Sequence, residues 1–461
     1  MSYVYIIDID ADMLTIMTWD EVGTPTARGT SLTRALGTES LPLDDFAPVF
    51  TLSESLIPGD VLPQVSYRGR LDIDFGMPTP MNEIQEQLLT DFVFTWRFYI
   101  DNPLTWNYGS PAFRLLSIAI LRLASWDFEV SGAGGDDVQL PLHYTYVPQW
   151  KYPKNDQFWF HGFFVSHFPD LTSDSMKRDA VSRVRNYLHE THPRRRGGVR
   201  LILISPCHVA FAELNGNQFS VGDNLPLLTS SSAFQCAPGA RALLRVLTSN
   251  CWKPSQTNRE QWQFCSPPEI LQSFMDHLSP WDAVAFAQAS FVAEEYYYKS
   301  VPQLGGIRVR QFRLSIPCCG NRARLEEDGI NCAVCYAWYH FQCIGVGLES
   351  RPSSKSFVCR RCTEAKAEKD KPSNAFASDH GGINRAAQGQ RRTGCQILDG
   401  GDARRLELRI SEFRDLSGWH NWRLRSTAVP AIKIDGVVLF NGAFSGLAYG
   451  LEDGPAVEDG V

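Results

Sequence analysis

Apolar and polar residues in the first half of the chain follow the periods of both strands and helices. Strands are predicted where short apolar runs lie beside turn residues or alternate with polar ones: 3–7, 14–18, 199–205, 209–214 and 218–221. Helices are predicted where apolar residues recur every three or four positions: 82–96, 112–124, 173–189 and 239–249. Because the two kinds of element are mixed, residues 1–255 are expected to form an α+β domain, with α/β as the alternative. The pattern does not indicate what this domain binds.

The pattern changes after this domain. Residues 264–300 have helical periodicity, residues 314–364 are rich in cysteine and poor in aliphatic side chains, and residues 365–395 mix Lys, Glu, Ser, Gly and Gln, which predicts a flexible linker. Apolar alternation returns over 396–461, around Asp435-Gly436. It predicts a small β-hairpin element that docks on the N-terminal domain, since a lone hairpin is too small to be stable. The chain is therefore expected to be a multidomain α+β protein.

Length and charge limit the function classes. The 461 residues allow about three domains, and 44 basic against 51 acidic side chains give 44 − 51 = −7. A chain with this charge is not expected to bind nucleic acid directly. There is no apolar run long enough for a transmembrane helix. The first residues lack a basic region, and Asp8, Asp10 and Asp12 interrupt any apolar core of a signal peptide. We therefore expect an intracellular protein, nuclear or cytoplasmic, whose cysteines are thiols or metal ligands.

A constellation of cysteine and histidine residues is the strongest chemical signal. Four ligand pairs occur between positions 318 and 362: Cys318-Cys319, Cys332-x2-Cys335, His340-x2-Cys343 and Cys359-x2-Cys362. Two thiolates on a tight turn point at one position, which suits tetrahedral Zn²⁺. Eight ligands are enough for two closed sites. Metal binding would supply about 10 kcal/mol or more of folding free energy per site to a segment with little core of its own. Buried free cysteines, the alternative, do not account for the repeated spacing.

The ligand order, four Cys, one His and three Cys, resembles that of a PHD finger. Gly320 after the first pair, Trp338 two residues before the histidine, and Phe357 two residues before the last pair also fit. A RING domain would place its histidine fourth. The resemblance implies a small interleaved finger with two zinc ions, appended to the larger domain. It assigns the ligands of one ion as Cys318, Cys319, His340 and Cys343. It assigns those of the other as Cys332, Cys335, Cys359 and Cys362.

The first pair departs from the family pattern because its two cysteines are adjacent. Successive side chains of an extended chain point in opposite directions, so Cys318 and Cys319 reach one metal only if the backbone is bent. Either this bend occurs or one thiol is replaced by another ligand. Cys319 is the surer ligand, since Gly320 follows it.

The resemblance also implies a partner. PHD fingers typically add a histone tail as an extra strand beside the segment before the third ligand, here roughly 324–331. Trp338 matches one wall of a trimethyl-lysine cage, but the loop 320–330 has no aromatic residue to supply the others. An unmodified lysine or arginine is the better candidate, because the run Glu326, Glu327 and Asp328 offers carboxylates. The alternatives are that this run is a solvated turn and that the indole only covers the zinc knuckle.

A second segment, 266–282, is similar to the start of an F-box. Residues Pro267, Glu269, Ile270 and Leu271 open its helix, and Phe274, Met275 and Leu278 continue an apolar face. The resemblance implies binding to the Skp adaptor of cullin ubiquitin ligases, with Ile270, Leu271 and Leu278 as contacts. Ser266 replaces the usual leucine, and the second helix is rich in alanine. The alternative is a plain helical hairpin that joins two domains.

Together these features predict a non-enzymatic zinc-binding interaction protein. The arrangement resembles uncharacterised fungal F-box/PHD proteins. The favoured partner is a peptide such as an unmodified histone tail, and the favoured compartment is the nucleus. The alternatives are a substrate adaptor of a ubiquitin ligase and a purely structural finger. The opening Asp8-x-Asp10 resembles that of haloacid dehalogenase-type phosphatases, but the acidic pair Asp136-Asp137 comes before the matching Ser205 strand, which is the wrong order for that family.

Overall fold

The computed structural model divides the chain into two compact units, Met1–Gln64 and Val65–Val461. It describes residues 3–8, 12–19, 25–37, 47–50, 66–100, 106–132, 150–191, 198–229, 232, 235–249, 251–252, 267–278, 282, 286, 293, 296–297, 308–309, 312–322, 328–346, 356–369, 396–399, 402–408 and 435–451. The sequence predicted one domain over 1–255. The structure differs because the first four strands pair with one another and form a separate sheet.

The described elements are nineteen strands and seven helices. The strands are β1 Tyr3–Asp8, β2 Met13–Trp19, β3 Pro25–Ser31, β4 Ala47–Phe50, β5 Ser66–Arg70, β6 Glu129–Gly132, β7 Gln157–Phe160, β8 Phe163–His167, β9 Val199–Ile204, β10 His208–Asn215, β11 Gln218–Val221, β12 Leu225–Pro226, β13 Arg308–Val309, β14 Gly329–Asn331, β15 Trp338–His340, β16 Gln396–Asp399, β17 Asp402–Leu408, β18 Gly436–Phe440 and β19 Ala443–Leu451. The helices are α1 Leu32–Leu36, α2 Pro80–Ile100, α3 Pro111–Ser125, α4 Asp174–Thr191, α5 Pro238–Thr248, α6 Pro268–His277 and α7 Arg360–Lys369. Within these ranges, no helix is long and apolar enough to cross a membrane.

The first unit is an antiparallel sheet in the order β1-β2-β3-β4, with the short helix α1 after β3. Asp12 stabilises the start of this helix. Its carboxylate accepts hydrogen bonds from the Ser31 hydroxyl at 2.6 Å and from the Thr33 amide at 2.8 Å. These bonds, the Ser31 one foremost, hold the pKa of Asp12 below its usual range. Ser31 is the N-cap residue, since its hydroxyl accepts from the Arg34 amide at 3.3 Å, and Asp12 supports this cap.

A mixed sheet is the centre of the second unit. Its strand order is β5-β11-β10-β9-β8-β7, and β12 pairs with β10. The pairs β5–β11 and β8–β9 are parallel, and the others are antiparallel. Residues alternate between its two faces, as the period of a strand requires. Leu201 and Leu203 pack with Val184 of α4 on one face, whereas Ile202 and Ile204 belong to the main core with α2, α3 and α5.

The C-terminal strands lie on the other side of this helical layer. They form a six-stranded sheet in the order β13-β16-β17-β19-β18-β6. The Trp96 indole of α2 donates to the Ser445 carbonyl at 2.9 Å, and the Tyr449 hydroxyl donates to the Asp91 carboxylate at 3.0 Å. The helices α2, α3 and α5 are thus enclosed by two sheets. This places the C-terminal strands against the N-terminal helices, with β6 of residues 129–132 inside the same sheet.

The hairpin turn of this sheet differs from the prediction. The sequence placed the turn at Asp435-Gly436, but Gly436 begins β18, and the connection to β19 is Asn441-Gly442. Both connecting residues have positive φ, 50° and 77°. A two-residue hairpin of this kind requires positive φ at both central positions, which Asn-Gly adopts readily. The predicted linker 365–395 also begins too early, since α7 continues to Lys369, and residues 370–395 lie outside the described part of the chain.

The F-box-like segment uses one apolar face of α6 to pack on the main core. Leu271 and Met275 are 1% and 2% exposed and belong to that core, and Leu278 packs against it. The prediction that Leu271 contacts an adaptor is therefore wrong for this structure. The reason is that residues four positions apart share a helix face, and this face is turned inward. Ile270 and Phe274, on the adjacent side of the helix, are 58% and 49% exposed.

Candidate metal centre

A tight turn brings the two adjacent cysteines together. The Ile316 amide donates to the Phe312 carbonyl at 2.7 Å, and the Gly320 amide donates to the Ile316 carbonyl at 2.9 Å. Gly320 has a φ of 66°, a conformation that glycine adopts without strain. Of the two alternatives for the vicinal pair, the structure shows the bent backbone. Cys318 and Cys319 both reach the same group of ligands.

The first ligand group contains Cys318, Cys319, His340 and Cys343, whose ligand atoms all lie within 4.8 Å of one another. The Cys318 and Cys319 Sγ atoms are 3.9 Å apart, and each is 3.4 Å from Nδ1 of His340. Four ligands at about 2.3 Å from a tetrahedral zinc ion would place sulfur atoms about 3.8 Å apart. The donor set and the close grouping of its atoms therefore fit a tetrahedral Zn²⁺ site.

The second ligand group contains Cys332, Cys335, Cys359 and Cys362, with the same limit of 4.8 Å between ligand atoms. The Sγ atoms of Cys335 and Cys359 are 3.9 Å apart. Sγ of Cys332 accepts hydrogen bonds from the Cys359 amide at 3.3 Å and the Val334 amide at 3.4 Å. Ala337, with Tyr339 and Phe357, covers this group in a small apolar cluster. The two groups interleave along the chain in the order that the PHD resemblance implies.

Each ligand group contains thiols that favour their neutral form when no metal is bound, whereas hydrogen bonds from Cys332 and Cys335 lower the pKa of Cys359. Burial raises the pKa of Cys318 to about 12 and that of Cys362 to about 12. Several negative charges in one small buried group repel one another unless a cation is present. A divalent ion would remove these protons and balance the thiolates. Both groups thus have the chemistry of closed structural zinc sites.

A two-stranded sheet, β14 with β15, connects the two ligand groups. Ile330 lies opposite Tyr339, and the Phe341 amide donates to the Asp328 carbonyl at 3.1 Å. Hydrogen-bonded pairs alternate with unbonded ones in an antiparallel ladder, so the N–H and C=O groups of Gly329 and Asn331 point away from β15. In the described part of the chain, no strand pairs with this outer edge of β14.

Trp338 is buried. It is 6% exposed, and it packs with Phe312, Ile316 and the partly buried Met77 beside Cys318. Its indole also lies across Gly329, where an added Cβ atom would be 2.5 Å from the ring. The sequence predicts this ring as a partner contact. The structure instead encloses it, which agrees with the alternative that the indole covers the zinc knuckle. Of the acidic run, Glu326 and Glu327 lie outside the described residues. Asp328 is half-buried, and its role as a partner contact stays a prediction.

A buried arginine attaches the finger to the larger domain. Arg241 of α5 is 5% exposed. Its guanidinium donates to the Glu86 carboxylate at 2.9 Å, to the Cys335 carbonyl at 2.9 Å and to the Leu314 carbonyl at 3.0 Å. Burial is the largest effect and opposes its charge, but Glu86 together with the nearby Cys236 and Cys335 keeps the pKa of Arg241 above its ordinary value. The Arg241 side chain thus remains a cation that donates to three acceptors, and one of them is the backbone carbonyl of the zinc ligand Cys335.

A buried glutamate makes the complementary contact. The Glu83 carboxylate of α2 accepts hydrogen bonds from the Leu314 amide at 2.8 Å, the Ser315 amide at 3.0 Å and the Ser315 hydroxyl at 2.6 Å. The Trp338 amide in turn donates to the Ser315 carbonyl at 3.0 Å. Burial, together with the nearby Glu86, raises the pKa of Glu83 to about 7. The segment 312–316 is therefore fixed to α2 on one side and to β15 on the other.

The turn before α2 completes this interface. Arg245 donates to the Gly76 carbonyl at 2.6 Å, and the Asn331 side chain of β14 donates to the same carbonyl at 3.1 Å. The Phe75 ring meets the Tyr336 ring edge to face, with centroids 5.2 Å apart. Sequence analysis missed this set of contacts. The available signal was a pair of arginines four positions apart in the otherwise apolar helix α5, a spacing that places both on one face.

Comparison with known proteins supports the assignment of the finger. Residues 317–362 match the family model of the PHD-finger. No curated protein and no solved structure matches the chain. The matched segment contains both ligand groups, so it is a PHD-type zinc finger with ligands for two zinc ions. The resemblances to an F-box and to fungal proteins gain no support from these comparisons and stay predictions.

Proposed function

We propose that this protein is a non-catalytic interaction protein whose PHD-type finger binds an extended peptide as a third strand on the outer edge of β14. The open edge carries this proposal. Gly329 and Asn331 present N–H and C=O groups that β15 does not use. Addition of a strand to such an edge is a common way for proteins to bind peptides, because the main-chain hydrogen bonds supply affinity.

The peptide that fits best is basic and unmethylated, as in an unmodified histone tail. The acidic run that ends at Asp328 precedes β14 directly and offers carboxylates to a lysine or arginine. A trimethyl-lysine cage needs exposed aromatic faces, and Trp338 is enclosed by Phe312, Ile316 and Met77. Methylation of the peptide is therefore expected to leave its affinity unchanged or to lower it. A nuclear location would agree with this partner.

Two variants at one position test the strand addition. Both Asn331→Pro and Asn331→Ala remove the side-chain hydrogen bond to the Gly76 carbonyl. Only Asn331→Pro also removes the outward backbone amide of β14, so Asn331→Ala is its control. The measurement is titration of the zinc-loaded chain with an unmodified histone-tail peptide, followed by the amide signals of 328–341. Binding that survives Asn331→Ala and is lost in Asn331→Pro supports the proposal. Equal binding by both variants, or no shift in these amides with the unaltered chain, contradicts it.

A second candidate function is the F-box-type adaptor, which one observation favours. Ile270 and Phe274 are partly exposed apolar side chains on the side of α6 next to the face that packs on the core, and the Phe274 ring also contacts Phe286. A pull-down with purified Skp adaptor tests this role. The role is supported if the adaptor retains the unaltered chain and the Ser273→Asp variant, which changes an exposed residue of the same helix, but not the Ile270→Asp variant. Absence of retention would leave α6 as a structural helix.

A further inference from the structure

A polar cavity lies in the larger domain, and none of its lining residues belongs to the finger. Its volume is about 340 Å³. It lies beside the edge strand β7 and the end of β8, with α4 on the other side. Its lining includes Lys154, Gln157, His167, Phe168, Arg183 and Tyr187. A cavity of this size accommodates a small metabolite.

The lining of the cavity has an excess of positive charge. The only carboxylate that lines it, among the described residues, is Asp156, which pairs with Arg114 at 3.0 Å and accepts the Tyr108 hydroxyl at 2.8 Å. Lys154 and Arg183 form no ion pair with any described residue. Two cations that have no ion-pair partner in the described part of the chain favour an anionic group at the cavity that they line.

Three residues that line the cavity, Asp156, Gln157 and His167, each have a buried acceptor atom without a hydrogen-bond partner among the described residues. Nε2 of His167 lies 3.0 Å from the Ser117 hydroxyl, which itself donates to the Arg114 carbonyl. The serine proton is thus engaged, so Nε2 carries the imidazole proton and Nδ1 is left as an acceptor. His167 is 4% exposed, and its buried Nδ1 has no hydrogen-bond partner; the same holds for Oε1 of Gln157. Burial lowers the pKa of His167 to about 3, so the ring stays neutral near pH 7.

We propose that this cavity binds a small anion that also carries hydroxyl groups, such as a phosphorylated or carboxylated sugar or polyol. The anionic group pairs with Lys154 and Arg183. Hydroxyl groups donate to Nδ1 of His167 and Oε1 of Gln157, whereas the third such acceptor of the lining, Oδ1 of Asp156, is already paired with Arg114. The rings of Phe168 and Tyr187 offer apolar surface to the carbon skeleton. This site is independent of the proposed peptide-binding edge.

Calorimetric titration of the zinc-loaded full chain tests the proposal, with glucose 6-phosphate, glucose and sulfate as probes. We expect one site per chain for the sugar phosphate, at least about tenfold tighter than for sulfate or glucose. The substitution Arg183→Ala is expected to weaken the affinity for the sugar phosphate at least about tenfold. Arg178→Ala on the same helix is the control, because Arg178 lies over the Tyr67 ring, 5.3 Å from its centroid, and does not line the cavity. Both arginines are exposed, so neither variant removes a core residue.

Three outcomes would overturn the proposal. One is absence of binding by the sugar phosphate at millimolar concentration. Another is equal affinity for sulfate and the sugar phosphate, which would mean an adventitious ion only. The third is unchanged affinity in Arg183→Ala. Peptide titration of the same sample reports separately on β14, so failure of one proposal does not affect the other.

Discussion

The guanidinium of Arg241 donates a hydrogen bond of 2.9 Å to the backbone carbonyl of Cys335, a member of the second ligand group. A buried cation of helix α5 thus contacts the loop that would hold a zinc ion. Glu83 and Asn331 extend the same interface on either side. The finger and the larger domain are therefore expected to gain and lose stability together, in contrast to a finger on a flexible tether.

Replacement of Arg241 tests this coupling. Arg241→Met would leave the Glu86 carboxylate, itself 1% exposed, without its cation. Loss of one partner of a buried ion pair costs about 3–5 kcal/mol, because the remaining charge stays buried. We expect a fall of this size in the free energy of unfolding and a lower zinc affinity of the second site. The double variant Arg241→Met/Glu86→Gln should recover part of the loss. A single variant within about 1 kcal/mol of the unaltered chain would contradict the coupling.

Gly329 is expected to tolerate no side chain. A Cβ atom there would be 2.5 Å from the Trp338 indole, which is held by Phe312 and Ile316. Overpacking of this kind typically costs about 1–3 kcal/mol. Gly329→Ala should therefore lower the free energy of unfolding, and Gly436→Ala is the matched control. Gly436 is also in a strand, but its added Cβ would come no closer than 3.4 Å to a neighbour. Equal effects of the two substitutions would show that the indole is free to move.

The pKa of Glu83 predicts a specific pH dependence. Between the ordinary value of 4.5 and about 7, the folded chain keeps a proton on Glu83 that the unfolded chain has released. The contribution of this group to the free energy of unfolding therefore falls as pH rises through that window, by up to about 1.4 kcal/mol per pH unit. In the Glu83→Gln variant the side chain is neutral at every pH, so this contribution to the pH dependence of the free energy of unfolding is absent. Denaturant unfolding of both proteins in excess zinc measures the difference, and parallel pH curves would refute the assignment.

Zinc binding should release protons. Because burial raises the pKa of Cys318 and Cys362, these thiols are neutral without a metal, and each thiolate that zinc forms from such a thiol at pH 7 releases a proton to the buffer. Titration of the metal-free chain with zinc, in two buffers of different ionisation enthalpy, measures the number released. We expect several protons per chain and a loss of zinc affinity as pH falls. A number near zero would mean that the cysteines do not bind the metal as thiolates.

Local patterns predicted the zinc ligands and most of the described helices, but they missed strands such as β3, β7 and β8 and the contacts between distant segments. The spacing of Cys332 and Cys335 is itself a geometric constraint, so it identifies a zinc site without knowledge of the fold. The helix predicted at 239–249 is observed as α5 for the same reason, since its apolar period is local. The burial of Leu271 and Trp338 depends on which surface packs on which. A period of three to four residues identifies an apolar face without showing whether this face meets the core or a partner.

The zinc content of the purified chain tests the central claim most directly. Elemental analysis, combined with hydrogen exchange before and after chelation, measures both the number of ions and what they hold together. The account predicts two zinc ions per chain, about one in Cys318→Ser or Cys335→Ser, and rapid exchange over 328–346 once the metal is removed. Protein without zinc, or a segment whose amides stay equally protected after chelation, would contradict it.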